Sequence, residues 1–224
     1  MKRKVITTSD GSKTIQIEDW DEQYHSIHGA IQESQHVFIK TGFHHVLNAY
    51  NPKHLHILEI GFGTGLNAFL SALESDQQGI KTHYESVEAY PVLAEELSQL
   101  NYASQIAVNQ QHLFDTCHEL SWEKLHPITS NFSLKKRQQF FSDITDENSF
   151  DLIYFDAFGA RVQPELWTES IFKSMYNALK NNGVLVTYSA KGSVRRAMKT
   201  AGFLVERLEG PPGKREMLRA TKPS

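Results

Sequence analysis

The chain is poor in cysteine. Cys117 is the only one in 224 residues, which excludes an intramolecular disulfide and a thiolate zinc cluster. A lone cysteine of this kind reads as a small packed filler rather than a nucleophile. Long hydrophobic runs are also missing: none approaches the roughly 20 apolar residues needed to cross a bilayer. The start, Met1-Lys2-Arg3-Lys4, has no apolar stretch behind it and is not a secretory signal. These absences point to a cytoplasmic protein. His44-His45 and His54-x-His56 lack acid or cysteine partners at metal-binding spacing, so they read as structural and no metal is expected. There are no repeats, low-complexity segments or long linkers.

Net charge is small, at −3 from 23 Lys/Arg and 26 Asp/Glu, but it is unevenly placed. Lys191 to Ser224 carries nine Lys/Arg and three Asp/Glu, a balance of +6, so Met1 to Ala190 carries −9. An acidic body with a basic C-terminal region can bind a polyanion locally. Hydrophobic content of 40% suffices for a core. The length suits one domain, read here as residues 51–224, with residues 1–50 as an N-terminal extension packed on it.

Against this background one stretch stands out. An apolar run from His54 to Ile60 breaks into Gly61-Phe62-Gly63-Thr64-Gly65, and a helical pattern begins at Leu66. Strand, glycine loop and helix are how an α/β sheet brings its backbone close to a nucleotide. A dinucleotide fingerprint would place its third glycine where Leu66 stands; here it falls one residue earlier, at Gly65. The spacing suits an adenosine ligand without a pyrophosphate, with S-adenosylmethionine the leading candidate. Thr82 to Glu88 alternates like a strand and ends in a carboxylate. Glu88 lies about two dozen residues past the loop, near the spacing at which an acid meets ribose hydroxyls.

The remaining pattern alternates strands and helices. Val5 to Thr8 and Thr14 to Ile17 flank a turn as a hairpin. Ile31 to Leu47 is helical in part. Pro91 opens a helix over Val92 to Leu100, and Asn101 to Leu125 is helical with irregular ends. Phe132 to Lys135 and Gln139 to Phe141 read as strands, as does Phe150 to Phe155. A helix over Glu165 to Leu179 is closed by Asn181-Asn182-Gly183, and a strand over Gly183 to Tyr188 follows. Val194 to Ala201 is a basic helix, and Phe203 to Arg207 with Glu216 to Ala220 forms a closing pair. Such alternation implies a parallel, doubly wound sheet, with ligands at the C-terminal strand ends. Glu59, Glu88 and Asp156 all fall at such ends.

Read in order, the motifs resemble those of the tRNA 5-methylaminomethyl-2-thiouridine methyltransferases, including the methyltransferase half of the bifunctional wobble-uridine enzyme. The matching segments are Tyr24-His25-Ser26, Glu33 to Ile39, Glu59 to Asn67, Ser142-Asp143-Ile144, and Phe155-Asp156-Ala157-Phe158 through Pro164-Glu165-Leu166-Trp167. Ser189 to Arg196, Ala201-Gly202-Phe203 and Gly213-Lys214-Arg215-Glu216-Met217-Leu218 complete them. The family often has a small residue and a proline soon after Asp-x-Phe, where this chain has Gly159-Ala160-Arg161. The bifunctional enzyme's oxidase half has no counterpart here, so the resemblance implies a stand-alone methyltransferase.

The resemblance implies a class I S-adenosylmethionine-dependent methyltransferase fold, Rossmann-like, with a seven-stranded sheet whose last strand is antiparallel and a short N-terminal β extension. It implies methyl transfer to the amine of 5-aminomethyl-2-thiouridine at the tRNA wobble position, with the aminomethyl group supplied either by a separate oxidase or by an ammonium-dependent pathway. Glu59 and the loop Gly61, Phe62, Gly63 and Gly65, with Asn67 beyond it, would hold the methionine end. Glu88 would take the ribose and Asp143 the adenine amino group. Asp156, beside the cofactor, would be the acid that faces the substrate amine. Tyr24 and Phe158 are candidates to stack on a base; Trp167 fits core packing better. Lys191, Arg195, Arg196, Lys214 and Arg215 are candidates for phosphate contacts, which need positive charge more than exact geometry. The competing readings are an aminopropyltransferase-like enzyme, a small-molecule amine methyltransferase, and a non-catalytic nucleotide-sensing or RNA-binding module.

Overall fold

A computed structural model describes residues 2–224. Met1, where the N-terminal reading begins, lies outside the described residues. The first elements are β1 (Arg3–Thr7), β2 (Lys13–Ile17) and β3 (Glu22–Gln23), which form a small antiparallel sheet in the order β1-β2-β3. The β1–β2 turn is tied down by Asp10. Its Oδ1 accepts from the Thr8 hydroxyl at 2.7 Å and from the Ser12 amide at 3.0 Å. Its Oδ2 accepts from the Gln32 amide at 3.1 Å, so one carboxylate fastens the hairpin to the helix behind it. That helical segment runs from α1 (Ala30–Ser34) through a π-helical stretch (Gln35–Phe43) into α2 (His44–Tyr50).

The main sheet is built from β4 (His54–Ile60), β5 (Lys81–Val87), β6 (Leu125–Pro127), β7 (Phe132–Arg137), β8 (Phe150–Phe155), β9 (Leu179–Thr187), β10 (Leu204–Glu209) and β11 (Glu216–Thr221). Its order is β10-β11-β9-β8-β4-β5-β7-β6. β4, β5, β7, β8 and β9 pair in parallel, while β11 runs antiparallel to both β9 and β10. The helices are α3 (Leu66–Gln78), α4 (Ala94–Leu97), α5 (Tyr102–Ile106), α6 (Gln111–Glu119), α7 (Glu169–Ala178) and α8 (Gly192–Ala201).

The central strands are covered on both faces, which explains their nearly continuous apolar sequences. Along β4, Leu55 and Ile57 join one buried cluster with Phe38, Phe43 and Phe69. Leu58 and Ile60 join the other, with Phe172, Met175 and Met198 of α7 and α8. The period-two alternation of a strand thus feeds two cores from one sequence run. β4 lies between β5 on one side and β8 on the other, all three parallel, so the chain leaves β4 first toward one edge of the sheet and later toward the other. A crevice opens at such a switch point.

The sheet has eight strands rather than seven. The extra one, β6, is a three-residue edge strand antiparallel to β7; Pro127 within it suits an edge, where a missing N–H costs no ladder bond. The helix expected over Val92 to Leu100 forms only at Ala94–Leu97. The strand expected at Gln139 to Phe141 is instead a 3-10 turn at Phe141–Asp143. Asn181-Asn182-Gly183 does not close α7: β9 starts directly at Leu179, and its pairing with β8 shifts register between Phe150 and Leu152. Among the described residues, no helix is long and apolar enough to cross a membrane.

Candidate active site

A cleft of about 1090 Å³ opens at the C-terminal ends of β4, β5 and β8. That is room for more than one drug-sized ligand portion, at the upper end of ordinary ligand sites. Its floor is the glycine turn. Gly61, Gly63 and Gly65 all have positive φ, at 96°, 48° and 72°. A Cβ on Gly61 would sit 3.0 Å from the Asp156 carbonyl oxygen, and one on Gly65 would sit 2.7 Å from His118 Nε2. Only glycine allows both the left-handed turn and the close approach of these chains.

Glu88 faces this turn already held. Its Oε2 accepts from the Gly63 amide at 3.1 Å, and its Oε1 accepts from the Tyr90 amide at 2.9 Å. Two backbone donors fix the carboxylate plane, leaving lone pairs on the cleft side for a ribose diol. The residues present therefore fit an adenosine cofactor: a backbone cradle that any Cβ would fill, and an anchored carboxylate beside it.

Glu59, expected among the cofactor ligands, is 1% exposed and lies behind the loop rather than in the cleft wall. Its Oε2 accepts from the Ser86 hydroxyl at 2.6 Å. Burial pushes its carboxyl up to about 8, so it is protonated at neutral pH. Asn67 connects the two buried acids. Its Nδ2 donates to Asp156 Oδ2 at 2.9 Å, while its Oδ1 is buried without a partner.

Asp156 closes the floor at the end of β8. Burial, and the neighbouring Glu33 and Glu59 carboxyls, push it well above the ordinary value of 3.8; the Asn67 hydrogen bond and the Lys214 charge pull the other way. Glu33, 6% exposed, accepts from the Ser26 amide at 2.8 Å and pairs with Lys214 Nζ. Above Asp156 stands an aromatic wall. Phe158 meets Trp20 at 5.7 Å and Tyr24 at 4.8 Å, both edge-to-face. Burial keeps the Tyr24 phenol neutral. Arg161 holds the wall together by donating to the Trp20 and Asp21 carbonyls at 2.9 and 2.7 Å and to Glu22 Oε2 at 2.9 Å.

The cleft thus brings together Gly61, Phe62, Gly63, Asn67, Glu88 and Asp156 with Tyr24, Phe158, Lys191 and Lys214. Gly65 shapes the turn from behind. Asp143 is exposed beside Ser142, which lines the cleft when Asp143 does not. Arg196 and Arg215 are exposed and Arg195 is half-buried, all outside the cleft. Trp167 is core: it is 5% exposed, packs on Phe155 at 5.1 Å and donates to the Phe158 carbonyl at 2.7 Å. Cys117 is buried and its thiol pushed up to about 12, which suits packing and not nucleophilic attack.

Sequence reasoning missed Trp20, Tyr188, Arg161 and Lys136, and gave Glu33 no role. Lys136 is 2% exposed beneath the loop. Its Nζ donates to the His118 carbonyl at 2.6 Å and lies 5.5 Å from the Phe62 ring and 5.0 Å from the Trp122 ring. Burial lowers it to about 8. Burial also lowers His118 to about 4, so the imidazole is neutral and its Nε2–H donates to the Thr64 carbonyl at 3.1 Å. None of these follows a spacing rule; each acts through contacts between distant segments.

The sheet order, the three-glycine turn and the cleft give the chain the class I, Rossmann-like methyltransferase fold. A family model described as S-adenosyl-L-methionine-dependent methyltransferase matches residues 127–223. The chain is similar to the tRNA 5-methylaminomethyl-2-thiouridine biosynthesis bifunctional protein MnmC. The Marinomonas sp. protein of that name is 30% identical over 211 residues, which cover 88% of this chain and 31% of the relative. A solved structure titled as MNMC2 from Aquifex aeolicus superposes with a TM-score of 0.76 at 27% identity, covering 99% of this chain and 70% of that one. The spermidine synthase from Thermotoga maritima, with a TM-score of 0.56 and 16% identity over 97% of this chain and 72% of its own, shares the fold alone. The chain spans about a third of the length of the curated relatives it matches.

Proposed function

We propose that this protein transfers a methyl group from S-adenosylmethionine to the amine of 5-aminomethyl-2-thiouridine at the tRNA wobble position. The observation that carries the reading is one cleft with two ends. One end has the glycine turn and the anchored Glu88; the other has Asp156 beneath the aromatic wall of Trp20, Tyr24 and Phe158. The similarity to the tRNA 5-methylaminomethyl-2-thiouridine biosynthesis proteins supplies the substrate class.

In this reading the glycine turn, Phe62, Asn67 and Glu88 hold the cofactor, with Asp143 near the adenine. S-adenosylmethionine, when bound, supplies a methyl group already activated on a sulfonium. The chain's own work is then positioning, which can supply roughly 7–11 kcal/mol in favourable cases. Asp156 accepts a hydrogen bond from the amine, aims its lone pair and stabilises positive charge as it develops on nitrogen. The raised proton affinity of Asp156 matches it better to an amine than an ordinary carboxylate would be. Tyr24 and Phe158, with Trp20, take the face of the base. Glu59, held neutral behind the loop, adds no charge there.

Residues 1–50 serve as an extension that completes the substrate end, since Trp20, Tyr24 and Glu33 come from it. Lys191, Arg195, Arg196 and Arg215 meet tRNA phosphates, and a separate oxidase supplies the aminomethyl group. The test is methyl transfer from labelled S-adenosylmethionine to tRNA lacking the final methyl group, with Asp156→Ala alongside. Label recovered in the 5-methylaminomethyl nucleoside, and lost in the variant, supports the reading. Label absent from that tRNA, or transfer to a polyamine in its place, sinks it.

A further inference from the structure

Lys214 is set apart from the other basic residues of the C-terminal region. It lies on the turn between β10 and β11, yet its Nζ enters the cleft, pairs with Glu33 and sits 4.0 Å from the centre of the Tyr188 ring. Its side chain is 32% exposed and that of Glu33 is 8% exposed. The Tyr188 hydroxyl donates at 2.8 Å to the carbonyl of Ala157, the residue that follows Asp156. An aromatic face and a buried carboxylate are the surroundings that suit an alkylammonium, and here the chain places its own ammonium in them, next to the acid at the amine end of the cleft. A cation so engaged is a poor contact for phosphate.

We propose that the Glu33–Lys214 ion pair, seated on the ring of Tyr188, acts through Asp156 as the charge-setting element of the amine site. Lys214 is a positioning residue: it cancels the Glu33 charge, so that Glu33 does not compete with Asp156 for the amine. The inference rests on the proposed function for its purpose, though the charge arrangement itself does not. The titratable groups that face Asp156 are Glu33 from α1, Glu59 from β4, which burial keeps protonated at neutral pH, and Lys214 from the β10–β11 turn. The phenols of Tyr188, Tyr84 and Tyr102 also feel it. Glu33 and Glu59 disfavour the ionised form of Asp156 and Lys214 favours it. Removing one partner or the other therefore makes opposite predictions for Asp156.

The experiment is a carbon-detected NMR titration of the Asp156 carboxyl in the full chain without ligands, its signal assigned with Asp156→Asn. Glu33→Gln removes the competing charge, and the Asp156 titration is displaced to lower pH. Lys214→Met leaves the Glu33 charge uncancelled, and the Asp156 titration is displaced to higher pH. Lys214→Arg keeps the wild-type position, and the double variant Glu33→Gln/Lys214→Met falls between the singles. Loss of stability with no displacement, or displacement of both single variants in one direction, overturns the inference; Lys214→Arg and Glu33→Gln each test it should Lys214→Met fail to fold. The acidic limb of the tRNA methylation rate then follows the same order, with turnover lost at pH 7 in Lys214→Met and recovered at higher pH. Opposite displacements without methyl transfer in the wild type would leave the charge arrangement standing and remove the proposed function. Methyl transfer without displacement would do the reverse.

Discussion

Replacing Glu59 with glutamine should stabilise the protein, and by an amount that grows with pH. Glu59 is 1% exposed, and its carboxyl is raised from the ordinary 4.5 to about 8. In the unfolded chain it ionises near 4.5; in the folded chain it stays protonated to about 8. Across that window the folded state binds one proton more, so stability falls as pH rises. Below 4.5 both states are protonated, and above 8 both are ionised, so the slope vanishes outside it. Between about pH 5 and pH 7 the loss is about 1.36 kcal/mol per unit, on the order of 3 kcal/mol in all. Glutamine is neutral in both states and escapes this loss. Its carbonyl can still accept from the Ser86 hydroxyl, and its new N–H groups lie beside Asn67, whose Oδ1 has no partner. The assay is urea unfolding of Glu59→Gln and wild type, followed by circular dichroism across this range. The difference between the two proteins should widen by on the order of 3 kcal/mol from pH 5 to pH 7. A constant difference, or a glutamine variant that loses ground as pH rises, would show that Glu59 is ionised in the fold and refute the reasoning.

Three further outcomes are expected. Gly65→Ala combines a φ of 72° with a Cβ 2.7 Å from His118 Nε2; the backbone strain alone is about 1–2 kcal/mol, and thermal unfolding should show at least that loss together with weaker cofactor binding by calorimetry. Glu88→Gln keeps the shape but loses the charge that accepts from Gly63 and Tyr90. A charge-assisted bond contributes about 1.5–3 kcal/mol, so S-adenosylmethionine affinity should fall roughly ten- to hundredfold, and the melting temperature should drop because glutamine has one acceptor oxygen for two backbone donors. Arg161→Ala removes an exposed clamp on the Trp20–Glu22 segment. Stability should change by less than about 1 kcal/mol, while the KM for tRNA rises as the aromatic wall loosens; an unchanged KM would assign the clamp no part in substrate binding.

Some of this architecture was legible in the chain alone. His54 to Ile60 and Phe150 to Phe155 form strands with those bounds because they are buried on both faces, and a run of apolar residues between breakers has few other uses. The glycine turn was legible because three alternating glycines signal a backbone that side chains cannot follow. Short and polar segments read less well. Val92 to Leu100 holds only one helical turn at Ala94–Leu97, an element too short for its own periodicity to declare. Leu125–Pro127 becomes an edge strand only because β7 is there to pair with. Asn181 to Gly183 keeps its turn character inside β9: Asn182 has a φ of 64°, and the pairing with β8 steps from Leu179 to Val184 across it.

The division is sharper at the site. Residue type and spacing alone set which acids stand at strand ends, where the backbone must turn left-handed, and which ligand class that turn admits, because these are properties of a few consecutive residues. Whether a given acid faces the cleft or the core was decided by tertiary packing. Glu59 and Glu88 both stand at the ends of adjacent strands, but Glu59 lies opposite Ser86 and Glu88 two residues further on, so one is buried and protonated behind the loop and the other is anchored in the cleft. Lys214 sits in a run of basic residues that looks like a phosphate contact, and the fold turns it inward onto Glu33, 181 residues away in the chain. Charge and burial depend on neighbours that only the folded chain assembles, and no local pattern encodes them.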